Sequence, residues 1–396
     1  SRTSISTFLV AGTVLGGAAT GVVADSGKIP DIDEPRIAPR GIEIVEFGWG
    51  MPSAALVLER MEQMEQRPFD GVVFKPIEGD FHPGASGAPH MFDDRRWAEE
   101  HVGMADMKRL NFAGSKLPAS FLTLEATRPD PEMPDPAGWL SDERWEVIES
   151  NMRLYAQARA ASGARGFWID EESYVADPWT YSEKLYPGRS FDEVYAAVRK
   201  RGAAIIDALE SAGGPIVIVP IFGLCATHID FSEDSLMPAF YDGMLDAINP
   251  TTTIVDGNEN GYYQQTNDEI QLFRIAQLEA HARLAPENQG TYIKQRGTAQ
   301  ALYTDILADP ESFEAFFFTQ RVSCFVKPED RPAFVEWITY NHARMAEDYI
   351  WFWTEQYDWW RESDQRDDTR AKADVPAWIA EALTSAKQRI REGNPP

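Results

Sequence analysis

Cysteine is nearly absent from this sequence, and that absence removes one class of fold. Two residues, Cys225 and Cys324, among 396 cannot form a disulfide scaffold; one bridge is open to them, and two buried thiols are the expected state. Histidine is scarce as well, and the six present make no H-E-x-x-H pattern and no cluster with cysteine, so no structural zinc site is expected. No G-x-G-x-x-G and no P-loop follows the first apolar run, which takes away the usual signature of an open nucleotide-binding sheet. Positive charge is in deficit, with 37 Lys and Arg against 63 Asp and Glu and a formal net charge of -26. A field of that sign repels phosphate backbones and anionic bilayers, so nucleic acid is excluded as a partner and a neutral or cationic one is expected. No repeat of 20 to 50 residues and no long Gly/Ser linker divides the body of the chain.

What is present is an ordinary globular composition, 43% hydrophobic and 25% charged, which rules out a disordered polymer and a multispanning membrane protein. Residues 1–24 differ from the rest. One Arg precedes an apolar stretch from Phe8 to Val23, followed by small residues up to Ala24, which is the layout of a cleaved secretory signal. The stretch is short for ~30 Å of hydrocarbon and no basic flank follows it. We therefore expect export, with the globular fold over residues 25–361 and a charged extension carrying a helix from Pro376 to about Arg391 over residues 362–396.

Between these ends, short β-rich apolar runs alternate with longer stretches of helical spacing. The runs are Ile42 to Trp49, Gly71 to Pro76, Ser120 to Ala126, Gly166 to Glu172, Pro215 to Gly223, Thr252 to Gly257, one between Thr291 and Asp305, and Tyr349 to Thr354. The amphipathic stretches are Ser53 to Arg67, Asp142 to Ser162, Phe191 to Ala212, Leu236 to Ile248, Asp268 to Leu284 and Pro332 to Asp348. Asp142 and Ser190 stand where helix N-caps belong, and Gly163 and Gly213 where C-caps belong. Nearly continuous apolar strands such as IVIVPIFG are covered on both faces, and alternation with helices makes the sheet parallel. Eight such units predict a closed (β/α)8 TIM barrel with long loops, Glu78 to Arg109 and Arg128 to Ser141, over its carboxyl face. TYIKQRG and AQALYTD both fit the seventh strand.

A barrel of this kind carries its site at the carboxyl ends of its strands, and there the sequence places acids among aromatics. The first strand ends with Glu46 and Trp49, the second with Lys75. The fourth ends in WIDEESY, giving Asp170, Glu171, Glu172 and Tyr174, with Trp179 soon after. The fifth leads to His228 and Asp230. The sixth ends in VDGNENGYY, with Asp256, Asn258, Glu259, Tyr262 and Tyr263, and the eighth in WFWTEQYDWW, with Glu355, Trp359 and Trp360. Carboxyls buried at strand ends repel one another, which is costly unless something uses them. Glycosidic cleavage is such a use, since it needs one carboxyl protonated and a second ionised, while Trp and Tyr faces stack on sugar rings. Other readings stay open: WIDEESY also suits a helix cap, DGNENGYY a turn, Trp351 and Trp353 packing, and Lys75 charge balance.

Taken together, EFGWG with RPFDGVVF, GFWIDEESY with DPW, DGMLDA leading to VDGNENGYY, and DYIWFWTEQYDWW resemble secreted, poorly characterised TIM-barrel proteins related to glycoside hydrolases, over roughly Ile42 to Trp360. The D-x-E of Asp170 and Glu172 is also similar to the fourth-strand acid motif of chitinase-like hydrolases, although the longer D-x-x-D-x-D-x-E run is absent. The resemblance implies a sugar-active barrel. Our expectation is a secreted glycoside hydrolase needing no cofactor, with Glu172 as general acid, Glu355 as nucleophile or base, a role Glu259 can exchange with it, and Asp170 tuning the pair. Glu46, Trp49, Lys75, Tyr174, Trp179, His228, Asp256, Asn258, Tyr262, Tyr263 and Trp359 are expected to contact the sugar. Two rivals are a sugar isomerase or epimerase with a divalent ion on Glu172, His228, Asp256 and Glu259, and a carbohydrate-binding barrel without catalysis.

Overall fold

Alternating apolar strands and amphipathic helices build what their order demands. Eight strands, β1 (Glu43–Gly48), β2 (Gly71–Phe74), β3 (Phe121–Glu125), β4 (Gly166–Asp170), β5 (Val217–Pro220), β6 (Thr253–Asp256), β7 (Arg296–Tyr303) and β8 (Tyr349–Thr354), pair in parallel in chain order, and β8 pairs with β1 to close the sheet. The chain is a (β/α)8 TIM barrel. The computed structural model describes residues 41–79, 81–82, 84, 87–126, 135–172, 177–225, 234–310, 321–361 and 373–396. The expected signal segment lies outside them.

Local chemistry sets the helix boundaries. The helix Asp142–Ser162 begins at the residue expected to cap it, because Ser141 has the extended backbone and its hydroxyl accepts the Arg144 N–H. It ends at Gly163, whose φ of 70° is left-handed. Ser190 caps Phe191–Glu210 through a reciprocal box with Glu193. That helix stops at Ser211, two residues short of the expected Gly213. The seventh strand is AQALY with its preceding RGT; TYIKQ belongs to the helix Pro286–Gln295, whose first-turn proline suits a helix start.

Side-chain alternation sorts each strand between two cores. Val45, Phe47, Val73, Phe121, Trp168, Val219, Val255, Ala299, Trp351 and Trp353 fill the barrel interior. Ile44, Val72, Leu122, Phe167, Ile218, Ile254, Leu302 and Phe352 face the helix layer. At the amino end the interior is plugged by Arg165, which pairs with Glu43 and donates to the Tyr349 hydroxyl at 3.3 Å. Two glycines allow neighbouring strands to approach: a Cβ on Gly166 would overlap the Val217 carbonyl, and one on Gly71 the Ala119 carbonyl.

The carboxyl-terminal helix Ala377–Glu392 packs on the barrel. It buries Ile379, Leu383, Ala386 and Ile390, and its Lys387 and Arg391 both reach Asp70, at 2.9 and 3.0 Å. Arg389 pairs with Glu336 of the helix Arg331–Met345.

Candidate active site at the barrel mouth

The alternation that sorts the cores also decides which strand-end acids face the mouth. On β3 the inward series Phe121, Thr123 continues to Glu125, and on β4 Gly166, Trp168 continues to Asp170. Glu125 and Asp170 are register partners, so two carboxyls stand side by side on adjacent strands. On β2 the series through Val73 leads to Lys75, whose ammonium pairs with Glu78 at 2.7 Å. On β8, Tyr349, Trp351 and Trp353 lead to Glu355, whose carboxylate accepts the Trp353 indole N–H at 3.4 Å.

Glu172 and Glu259 join this group from the loops that follow β4 and β6. The Glu172 N–H donates to the Asp170 carboxylate at 2.9 Å. Glu259 opens a short 3-10 turn, Glu259–Tyr263, that is anchored when its own N–H donates to the Ile221 carbonyl at 2.9 Å. One of its carboxyl oxygens is buried without a hydrogen-bond partner among the described residues. Burial holds the Asp170 carboxyl well above the ordinary carboxylate range, and the charges of Glu172, Glu125 and Glu171 push it further. Glu259 is likewise raised, by burial and then by Glu172 and Asp170, with the Tyr262 hydroxyl opposing. Tyr263 senses the group as a whole. Its phenol is raised by burial and by the charges of Glu259, Glu172 and Glu355, against the Arg321 guanidinium 5.3 Å over its ring.

Aromatic rings form the wall around these acids. Trp49 packs against Trp353 at 5.4 Å, Phe47 against Trp353 at 4.8 Å, and Tyr262 against Trp351 at 5.3 Å and Tyr303 at 5.1 Å. Trp353 thus belongs to the mouth as well as to the packing expected of it. Burial and the Glu355 charge raise the Tyr303 phenol, which places that ring beside Glu355.

Five expected contacts lie elsewhere, and strand parity explains three of them. Glu46 alternates with Ile44 and faces the helix layer, where it accepts the Trp360 indole N–H at 2.7 Å. Asp256, next to inward Val255, also turns outward; it accepts the Cys225 thiol and the Gln277 amide, both at 3.0 Å. Asn258 joins the same outer network through a 2.6 Å bond to Gln300, its φ of 46° turning the chain there. Trp179 packs with Phe92, Trp139 and Phe240 under the helices, and Trp359 stands edge-on to Phe69 and donates to the Thr354 hydroxyl at 3.2 Å. These five side chains pack or hydrogen-bond on the outer side of the sheet, away from the inward acids. Glu171 is engaged in its own bonds: its carboxyl accepts the Phe222 N–H at 3.1 Å and the Tyr241 hydroxyl at 2.9 Å, and burial pushes it up to about 8. Tyr174, His228 and Asp230 lie outside the described residues.

Of the metal set Glu172, His228, Asp256 and Glu259, Asp256 turns outward to Cys225 and Gln277, and His228 lies outside the described residues. Among the described residues no three His, Cys, Asp or Glu side chains are grouped to hold an ion. Two residues at the mouth were not anticipated. They are Glu125, which stands beside Asp170, and His90, whose Nε2 lies 3.8 Å from the Glu125 carboxylate with both side chains almost fully buried. The signal for Glu125 was available, since it continues the inward series of its own strand.

No protein-family model matches the chain, and no curated protein matches it. Several solved structures resemble it. A native Bacteroidetes-affiliated GH5 cellulase linked with a polysaccharide utilization locus is 9% identical, with a TM-score of 0.41, over 92% of this chain and 99% of that one. A GH5-4 broad-specificity endoglucanase from Clostridium longisporum is 10% identical, with a TM-score of 0.45, over 90% and 98%. A 3-keto-D-glucoside 4-epimerase from E. coli is 12% identical, with a TM-score of 0.40, over 88% and 99%.

Proposed function

We propose that this barrel hydrolyses glycosidic bonds, with the reacting carboxyls drawn from Asp170, Glu172, Glu259 and Glu355. The observation that carries the reading is that Asp170 stands in register beside Glu125 at the carboxyl end of the barrel, with the Glu172 N–H on its carboxylate and Glu355 on the Trp353 indole, among Trp and Tyr side chains. Hydrolysis needs one carboxyl that keeps its proton near neutral pH and another that does not. Glu259, raised by burial and by Glu172, suits the proton donor. Glu172 then carries the negative charge as nucleophile or base, which exchanges the role first expected of it, and Glu355 holds sugar hydroxyls opposite. Trp49, Trp353, Tyr262 and Tyr303 offer the flat apolar faces that sugar rings stack on. The apolar stretch in residues 1–24 supports export, which amino-terminal sequencing of protein recovered outside the cell tests.

The deciding experiment is a screen of the purified chain against natural polysaccharides and aryl glycosides, with Glu259→Gln and Glu172→Gln alongside. Turnover by the wild type that drops about 10²- to 10⁴-fold in each variant, with the ligand-induced Trp fluorescence change retained, is the expected result. Fluorescence change without product from the wild type would replace the hydrolase reading with a carbohydrate-binding barrel.

A further inference from the structure

We propose that Glu125 is a positioning residue that keeps Asp170 protonated, so that the negative charge of the mouth stays on Glu172; this rests on the hydrolase reading above. The two residues are register partners at inward positions at the carboxyl ends of β3 and β4. Glu125 is held in place from several sides. Its backbone N–H donates to the Pro89 carbonyl at 2.8 Å, its carbonyl accepts the Met91 N–H at 2.7 Å, and the segment between them makes a parallel bridge at His90. His90 Nε2 sits 3.8 Å from the carboxylate. Gly84 lies so close over that carboxylate that a Cβ there would be 2.6 Å from Oε2. A side chain fixed this tightly beside a second carboxyl cannot swing away to relieve the repulsion, so the proton must.

A second observation comes from the layer below. Thr123 and Trp168, also register partners, bring a hydroxyl and an indole N–H into the barrel interior, fully buried and without a hydrogen-bond partner among the described residues. Neither of them donates to Glu125 or Asp170, so the layer beneath the pair does nothing to stabilise its charge. The charged groups that act on Asp170 are Glu125 from β3 and Glu171 and Glu172 after β4, and Asp170 acts in turn on Glu259 after β6; His90 faces Glu125, and Lys75 after β2 faces Glu78. Glu125 shares a ladder position with Asp170, and a protonated Asp170 can donate to Glu172 where an ionised one would repel it.

The test reads Asp170 directly by infrared difference titration of the protonated carboxyl band, assigned as the component lost in Asp170→Asn. In Glu125→Gln the Asp170 midpoint should fall by roughly one pH unit or more, and in Glu125→Asp, which keeps the charge, it should return toward the wild-type value. An unchanged midpoint in Glu125→Gln, or an equal fall in both variants, overturns the proposal. Hydrolysis is assayed separately on the same proteins. A titration shift in a chain that cleaves no glycoside would remove the hydrolase reading while leaving the Glu125 to Asp170 coupling established.

Discussion

Glu46 and Trp360 meet on the outer side of β1, where the indole N–H donates to a carboxyl that is otherwise sealed between the strand and the helix layer. Burial pushes this carboxyl up to about 8, with Asp358 adding and Arg361 opposing.

The sign of its effect on stability follows. The folded pKa lies above the unfolded value of 4.5, so the folded state holds the proton more tightly, and this stabilisation is complete below about 4.5 and is lost as pH rises toward 8. Glu46→Gln keeps an acceptor for Trp360 and has nothing to ionise. Urea unfolding at pH 5 and pH 9 should therefore show the variant gaining on the wild type at pH 9, by on the order of 4 kcal/mol at most. Equal pH dependence in the two proteins would contradict a buried, protonation-sensitive Glu46.

Asp256 and Glu259 provide a paired contrast three positions apart. Asp256→Asn should weaken the Cys225 and Gln277 bonds and cost about 1 to 3 kcal/mol of stability while leaving the ligand-induced Trp fluorescence change of the mouth intact. Glu259→Gln should do the reverse, leaving the unfolding midpoint near the wild type and cutting turnover by about 10²- to 10⁴-fold. A loss of turnover in Asp256→Asn at a temperature where it remains folded would place Asp256 in the site after all.

Gly166 stands where β4 and β5 come together, and its missing side chain is filled by the Val217 carbonyl. Alanine there must separate two strands of a closed ladder. Thermal unfolding of Gly166→Ala should show a loss of at least about 3 kcal/mol, with Gly290→Ala, which meets no atom within 4 Å, as the tolerant control.

Ser190 and Glu193 cap their helix reciprocally. Ser190→Ala should cost about 1 kcal/mol by chemical denaturation and leave the acids of the mouth untouched.

Most of the barrel was legible in the sequence because its strands are short, β-rich and separated by helices whose apolar spacing is clear. The site was legible only in part, and the reason is parity. Asp170 and Asp256 both end an apolar strand and look alike in sequence, yet one follows Trp168 into the interior and the other follows Val255 and therefore faces out. A one-residue difference in phase sends a side chain to the opposite face. Strands buried on both faces hide that phase, because WID and IVD carry apolar residues on each side. Glu125 escaped notice for the complementary reason: one acid after LTL has no aromatic neighbours to draw attention, and only its alternation with Phe121 and Thr123 marks it as inward.

Closure of the sheet joins Glu43 to Tyr349 and Gly48 to Thr354. Of the barrel's strands β1 is synthesised first, and one of its edges therefore has no partner until β8 has been made. Until β8 arrives that edge is a template for stray pairing, so the last strand of the barrel is also the cover of the first.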